Sequence, residues 1–257
     1  MASSVDNARR GGAQESGVSE RGEQSDARQQ REERILDAAA TLLTRWGYRK
    51  TTIDDVAREA GVGKGTIYLH WRDKNQLFNA AIWRANQVVL DDLIQRIEAD
   101  PDGGLLHRLW THGIVAAMAN PLMTAIMRGQ TDLFQGLLDD IDLRERAQLI
   151  GDSHAFFGRL QAAGIIRNDL PVSTITYFAA ALKVGVVNAA DTLCGQDIPS
   201  LEEIGEGLSD LFRRWLEPEQ LPSVTTPGKE AIIGWLKQAQ TLIQSHLASN
   251  QVSSSAP

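Results

Sequence analysis

The chain has 257 residues, 42% of them hydrophobic and 23% charged, with a net charge of −7. That length and apolar content suffice to bury a core, leave room for two small domains and exclude a chain disordered throughout. The single cysteine, Cys194, excludes an intrachain disulfide, no Cys/His spacing suggests a structural zinc site, and no run of about 18 apolar residues exists to span a membrane. A cytoplasmic, reducing compartment and the absence of any metal or cofactor are therefore expected.

Residues 1–27 are rich in Ser, Gly, Gln, Glu and Arg and nearly lack large apolar side chains, so the reading assigns them to a disordered tail. No apolar stretch follows Arg9-Arg10, which argues against a signal or transit peptide. A role for Arg9, Arg10 or Arg21 in a minor groove is the functional alternative to a dispensable tail.

Residues 28–75 form the first expected domain. A helix from about Gln29 to Trp46 carries Ile35, Leu36, Ala39, Leu42, Leu43 and Trp46 on one stripe and ends at Gly47. Next, Ile53, Val56, Ala57 and Ala60 recur at helical spacing, Gly61 interrupts, and Ile67 and Trp71 resume the period: two short helices about a tight turn. Thr52 is placed to cap the first of them, with Asp54 and Asp55 at its positive end and Gly61 as its left-handed stop. With Ile67 and Trp71 inward, Lys64, Thr66, Tyr68 and His70 are left outward or at the helix start beside two small glycines, a surface suited to nucleic-acid backbone and groove edges. A solvated helix pair in any all-α domain is the bland alternative. Gly61-Val62-Gly63-Lys64-Gly65-Thr66 is not a phosphate-binding loop: Gly65 follows Lys64 where Ser or Thr is needed, and no strand precedes it.

The charge is distributed to match. Residues 28–75 hold ten Lys+Arg against seven Asp+Glu, for +3, whereas residues 76–257 hold thirteen against twenty-one, for −8, and residues 1–27 three against five, for −2. Basicity is confined to the segment that would meet phosphate.

The run Trp46-Gly47, Thr51 to Ala57, Ala60-Gly61-Val62 and Gly65 to Lys74 resembles the N-terminal domain of TetR/AcrR-type transcriptional regulators in order and spacing. The resemblance covers roughly a fifth of the chain. It implies a three-helix DNA-binding domain in which Lys64, Gly65 and Thr66 approach bases while Thr51, Thr52, Tyr68, His70 and Lys74 hold phosphates. Only Lys64 is a long base-reading side chain, so DNA shape is expected to share in specificity.

Residues 76–248 are expected to be all-helical. A rod runs from Lys74 to about Ala99 on the stripe Phe78, Ile82, Ala85, Val89, Leu93, Ile97 and stops at Asp100-Pro101-Asp102-Gly103-Gly104. Leu105 to Asn120, Leu122 to Met127, and Leu143 to Leu160 follow as helices. Val172 to Leu193 is apolar nearly all round, and a helix opening at Leu201 carries Ile204, Leu208, Leu211, Phe212 and Trp215. An additional amphipathic helix, 229–247, bears Ile232, Trp235, Leu236, Ala239, Leu242, Ile243 and Leu247, with three open placements: on the subunit's own core, in a dimer interface, or over a pocket. Residues 249–257 read as a disordered tail.

The resemblance implies a ligand cavity among the middle helices. Its candidates are His107, Trp110, Met118, Met127, Phe134, Phe156, Tyr177 and Asn188, with Met123, Phe157 and His154 as further neighbours; ordinary core is the competing reading for each. His107 and His112 are five apart without a carboxylate or cysteine nearby in sequence, which favours core or pocket roles over metal ligation. The resemblance also implies that the helices at 172–193 and 201–215 pack against their twins in a homodimer.

The fold class expected is all-α, an N-terminal helix-turn-helix domain followed by a helical ligand-binding and dimerisation domain. The function expected is a homodimeric regulator of transcription, a repressor released from palindromic double-stranded operator DNA by a small apolar or amphipathic ligand. The alternative is a DNA-binding regulator whose helical domain is only a dimerisation or protein-docking scaffold. An enzyme is not expected, since no acid, base and nucleophile converge and Cys194 has no evident base beside it.

Overall fold

The computed structural model describes residues 8–127, 143–192 and 199–252. Within them the chain is helices and turns: α1 (Ala8–Lys50), α2 (Ile53–Ala60), α3 (Lys64–Tyr68), α4 (Lys74–Ala99), α5 (Leu106–Met118), α6 (Pro121–Met127), α7 (Leu143–Ala162), α8 (Val172–Thr192), α9 (Leu201–Leu216) and α10 (Thr226–Val252). The fold is all-α.

The caps stand where the local sequence puts them. Thr52 accepts from the Asp55 N–H while the Asp55 carboxylate accepts from the Thr52 N–H, a reciprocal box that closes the start of α2. Gly61 ends it in the left-handed region at φ 65°. Asp73 likewise accepts from the Gln76 N–H to open α4. Helical geometry in α1 breaks at Gly47, whose φ of 77° favours a glycine, so the stripe ends where the sequence reading expects.

One expectation is corrected at the other end of α1. The helix begins at Ala8, so residues 8–27, assigned to a disordered tail, are helical here. A composition too polar to build a core does not oppose local i to i+4 bonding, and Ala, Arg, Gln and Glu are good helix formers.

Two apolar clusters organise the molecule. The first joins Ile35, Leu42 and Leu43 of α1, Ile53 and Val56 of α2, Ile67, Trp71, and Leu77, Phe78 and Ala81 of α4. The second joins Val89, Leu93 and Ile97, farther along α4, to Leu106 and Leu109 of α5, Phe156 and Leu160 of α7, and Phe212 and Leu216 of α9. The rod is thus shared, its first half buried in one cluster and its second half in the other. A second bridge is α6, which sets Leu122 and Ala125 into the first cluster while Met123 packs against both.

The open placement of the C-terminal helix is resolved: α10 docks on its own subunit. Ile232 and Leu236 are buried in the second cluster, and Trp235 stacks on Phe156 of α7 with ring centroids 4.8 Å apart. Polar contacts follow the same seam, with Gln240 Nε2 donating to Asp91 of α4 at 2.6 Å and Thr225 Oγ1 to the Pro101 carbonyl at 3.1 Å. Close backbone approach there demands glycine. A Cβ on Gly104 would lie 1.9 Å from the Thr225 carbonyl oxygen, and one on Gly228 would lie 2.2 Å from that of Gly104.

Candidate nucleic-acid interface

The reader helix α3 is only five residues long, and its position comes from its neighbours. Ile67 is fully buried and Trp71 nearly so, both in the first cluster, which leaves the rest of the turn facing outward. Lys64, Gly65 and Tyr68 are exposed, Thr66 is half-buried, and a Cβ on Gly65 would meet nothing within 4 Å. Thr52 is exposed as well, its hydroxyl engaged in the α2 cap.

Two of the expected phosphate contacts do not reach that surface. Thr51 is completely buried, its hydroxyl donating to the Gly47 carbonyl at 2.8 Å, so it fastens the end of α1 instead. His70 is 5% exposed, and burial, followed by the charges of Arg28 and Arg31, holds it below its ordinary pKa. Glu32 stands 3.6 Å from Nδ1, too far for a hydrogen bond, and does not offset that burial. Periodicity cannot separate a residue at a helix end from one just inside it, which is why His70 reads as outward, whereas Thr51 entered only through the family resemblance.

Lys74 occupies an intermediate position. Its ammonium lies 4.1 Å over the ring of Tyr48, and partial burial lowers its pKa. A relationship with no sequence signal is the ion pair between Lys64 and Asp54, Nζ to Oδ2 at 2.8 Å across the turn. Asp54 holds the Lys64 ammonium above its ordinary value through that bond. Arg84 of α4 reaches the Glu33 carbonyl and pairs with Asp37, tying the rod to α1.

The expected ligand residues divide. Trp110 stacks on Phe212 at 4.7 Å, and its buried indole N–H has no hydrogen-bond partner. Phe156 is buried and stacked, and Met127 packs against the second cluster. Met118 and Tyr177, 39% and 70% exposed, lie on the surface, because the apolar stripe of a helix does not reveal which neighbour covers it. His154 is exposed too. Phe134, the Asn188 side chain and Cys194 lie outside the described residues.

Carboxylates absent from the sequence neighbourhood of the two histidines are supplied by the fold. His107 Nδ1 lies 2.8 Å from Oε2 of Glu217, whose Oε1 also accepts from the His107 N–H, and His112 Nε2 lies 2.7 Å from Asp100. These pairs brace α5 against α9 and against the turn after α4. Among the described residues no group of three or more His, Cys, Asp or Glu is placed to hold a metal, and no helix is long and apolar enough to cross a membrane.

Two short helices about a glycine-capped turn, with α3 anchored by Ile67 and Trp71 and open on its other side, make a helix-turn-helix unit. Residues 35–81 match the family of bacterial regulatory proteins, tetR family. Over that segment the chain is similar to the tetR family. It is 49% identical over 49 residues to the uncharacterized HTH-type transcriptional regulator YhgD of Bacillus subtilis, a match covering 19% of this chain and 26% of YhgD. The curated relatives it matches are spanned over only 26% to 40% of their length. The fold extends further than the sequence match. NalD, the secondary repressor of the MexAB-OprM multidrug efflux pump in Pseudomonas aeruginosa, superposes with a TM-score of 0.51 at 23% identity, over 76% of this chain and all of that one. A complex of SmeT with triclosan superposes with a TM-score of 0.52 at 18% identity, over 76% of this chain and 96% of that one.

Proposed function

We propose that this protein is a homodimeric, ligand-responsive repressor that binds a palindromic operator, and not an enzyme. The observation that carries the DNA-binding part is the reader itself: Ile67 and Trp71 lock α3 from behind while Lys64, Gly65, Thr66 and Tyr68 stand open in front. Lys64, Gly65 and Thr66 approach bases, and Thr52, Tyr68 and Lys74 hold phosphates. Two such readers about a two-fold axis enter successive major grooves about 34–36 Å apart.

Dimerisation is supported by the surface of α8 and α9. Tyr177, Phe178 and Leu211 are 70%, 50% and 40% exposed, and an open apolar groove of about 370 Å³ is lined by Phe178, Ala181, Leu182, Gly185 and Val186. A continuous apolar face of this kind calls for a partner, and small residues let a twin helix approach closely.

Ligand response is supported by the two shared elements. Displacement within the second cluster is transmitted to the first through α4 and through Met123 of α6, changing the separation of the readers. The Trp110 N–H, buried without an acceptor, is a donor suited to a ligand oxygen. SmeT, of like fold, takes triclosan, an amphipathic aromatic of the class envisaged here. Action in the cytoplasm follows from this role.

A mobility-shift assay on DNA upstream of the protein's own gene, across a salt series and beside a Lys64→Ala/Tyr68→Ala variant, tests the reading. Specific, salt-sensitive binding lost in the variant is the expected result. Failure to enrich any sequence from a genome-wide DNA pool overturns it. Ligand binding must weaken when operator is present, because coupling is reciprocal; equal affinities with and without operator leave a regulator whose helical domain is only a scaffold.

A further inference from the structure

The ion pair between Lys64 and Asp54 joins the first residue of α3 to the first turn of α2, with the two side chains 48% and 62% exposed. Folding does not require it. Thr52 and Asp55 already close α2, and a pair this exposed adds little stability. Its location is what matters, because Lys64 is the one long cationic side chain of the reader and Gly65 beside it has no side chain at all.

We propose that Asp54 is a specificity-determining residue of operator recognition, which holds Lys64 toward a guanine edge and opposes its capture by phosphate. This rests on the DNA-binding reading above. An ammonium has three donors. One stays on Asp54, and two remain for the O6 and N7 acceptors that guanine presents side by side in the major groove. A phosphate at the same place brings a second negative charge against the Asp54 carboxylate. Without Asp54, Lys64 is a point charge on a flexible stem that any neighbouring phosphate satisfies equally well. The nearby cation Arg58 is paired in the same manner, its guanidinium 2.6 Å from Asp55, so this face of α2 and α3 meets DNA with its charge already partnered. Such an arrangement favours discrimination over bulk attraction.

The test begins by selecting duplexes from a random pool with the wild-type chain. Affinities for the selected duplex and a scrambled one are then measured by fluorescence anisotropy across a salt series, for wild type, Asp54→Asn, Lys64→Met and the double variant. Asp54→Asn is expected to bind scrambled DNA more tightly, to steepen its log–log salt slope by about one, and to lower the ratio of selected to scrambled affinity about tenfold. In the Lys64→Met background the same change no longer alters that ratio. Asp54→Glu, which keeps the charge and moves it by one methylene, retains the low affinity for scrambled DNA. A ratio preserved within about twofold in Asp54→Asn, or reduced equally with and without Lys64, overturns the proposal while leaving the regulator intact. A wild-type chain that selects no sequence overturns the regulator reading, and this proposal with it.

Discussion

Lys229 Nζ donates to the Asp100 carbonyl at 2.6 Å and to the Glu98 carbonyl at 3.3 Å, so α10 places a cation on the carbonyl end of the rod α4. The last carbonyls of a helix carry its negative pole and lack intrahelical donors, and a partly buried ammonium satisfies both needs. Lys229→Met keeps the stem and removes the donors. It is expected to cost about 1–2 kcal/mol, read as a lower urea midpoint at unchanged slope. An unchanged midpoint would show that the bond is not formed in solution.

The docking of α10 also depends on Gly104. An alanine methyl would stand 1.9 Å from the Thr225 carbonyl oxygen, a backbone atom with no flexible end to yield. Gly104→Ala is therefore expected to displace the start of α10 and to cost about 2 kcal/mol or more. Limited proteolysis reads it directly: cleavage near residues 220–228 is faster than in wild type, and equal rates would contradict the close approach.

Thr51 offers a separation of folding from binding. Its hydroxyl is buried on the Gly47 carbonyl at 2.8 Å, so Thr51→Val is expected to lower stability by about 1 kcal/mol. Because the side chain does not reach the surface, the slope of log affinity for DNA against log salt is expected to stay that of wild type. A slope shallower by about one would restore Thr51 as a phosphate contact.

Gly65 should show the opposite behaviour. Nothing lies within 4 Å of its hypothetical Cβ, and the position is helical, so Gly65→Ala is expected to raise stability by up to about 1 kcal/mol. The proposed close approach of the reader to DNA would leave no room for the methyl, so operator affinity is expected to fall at least about tenfold, which is roughly 1.4 kcal/mol. A variant more stable and equally tight would mean that the reader stands away from the groove floor.

Acid acts in two separate windows. His70 is held below its ordinary 6.5 chiefly by burial, so the unfolded chain takes up a proton that the native state refuses. Its contribution is complete above about pH 6.5 and is lost as pH falls below that value through the depressed native pKa. For Asp100, burial works to raise the pKa, but hydrogen bonds from Arg108, His112 and the Asp102 N–H outweigh it and hold the carboxyl at about 2, against 3.8 in the unfolded chain. Its contribution, about 2 kcal/mol, is complete above about pH 4 and lost as pH falls toward 2. In urea titrations across pH, His70→Gln should flatten the first window and Asp100→Asn the second. A slope surviving in either variant would assign that window to other groups.

Much of this protein follows from local sequence alone. Periods of 3.6 residues, Thr52 and Asp73 as caps, and Gly47 and Gly61 as stops depend on neighbours within one or two turns, so helix positions and the helix-turn-helix were legible without coordinates. The extent of α1 was not, because polar composition reports the absence of a core and is silent on local helix formation. Tertiary structure decided everything that joins distant residues. It buried Thr51 and His70, gave Lys64 a partner ten residues away, paired His107 with Glu217 and His112 with Asp100, and laid α10 along the rod. It also turned Tyr177 outward and left the Trp110 N–H buried without an acceptor. Hydrophobic patterning specifies which face of a helix must be covered, whereas the identity of the covering element depends on how whole helices pack.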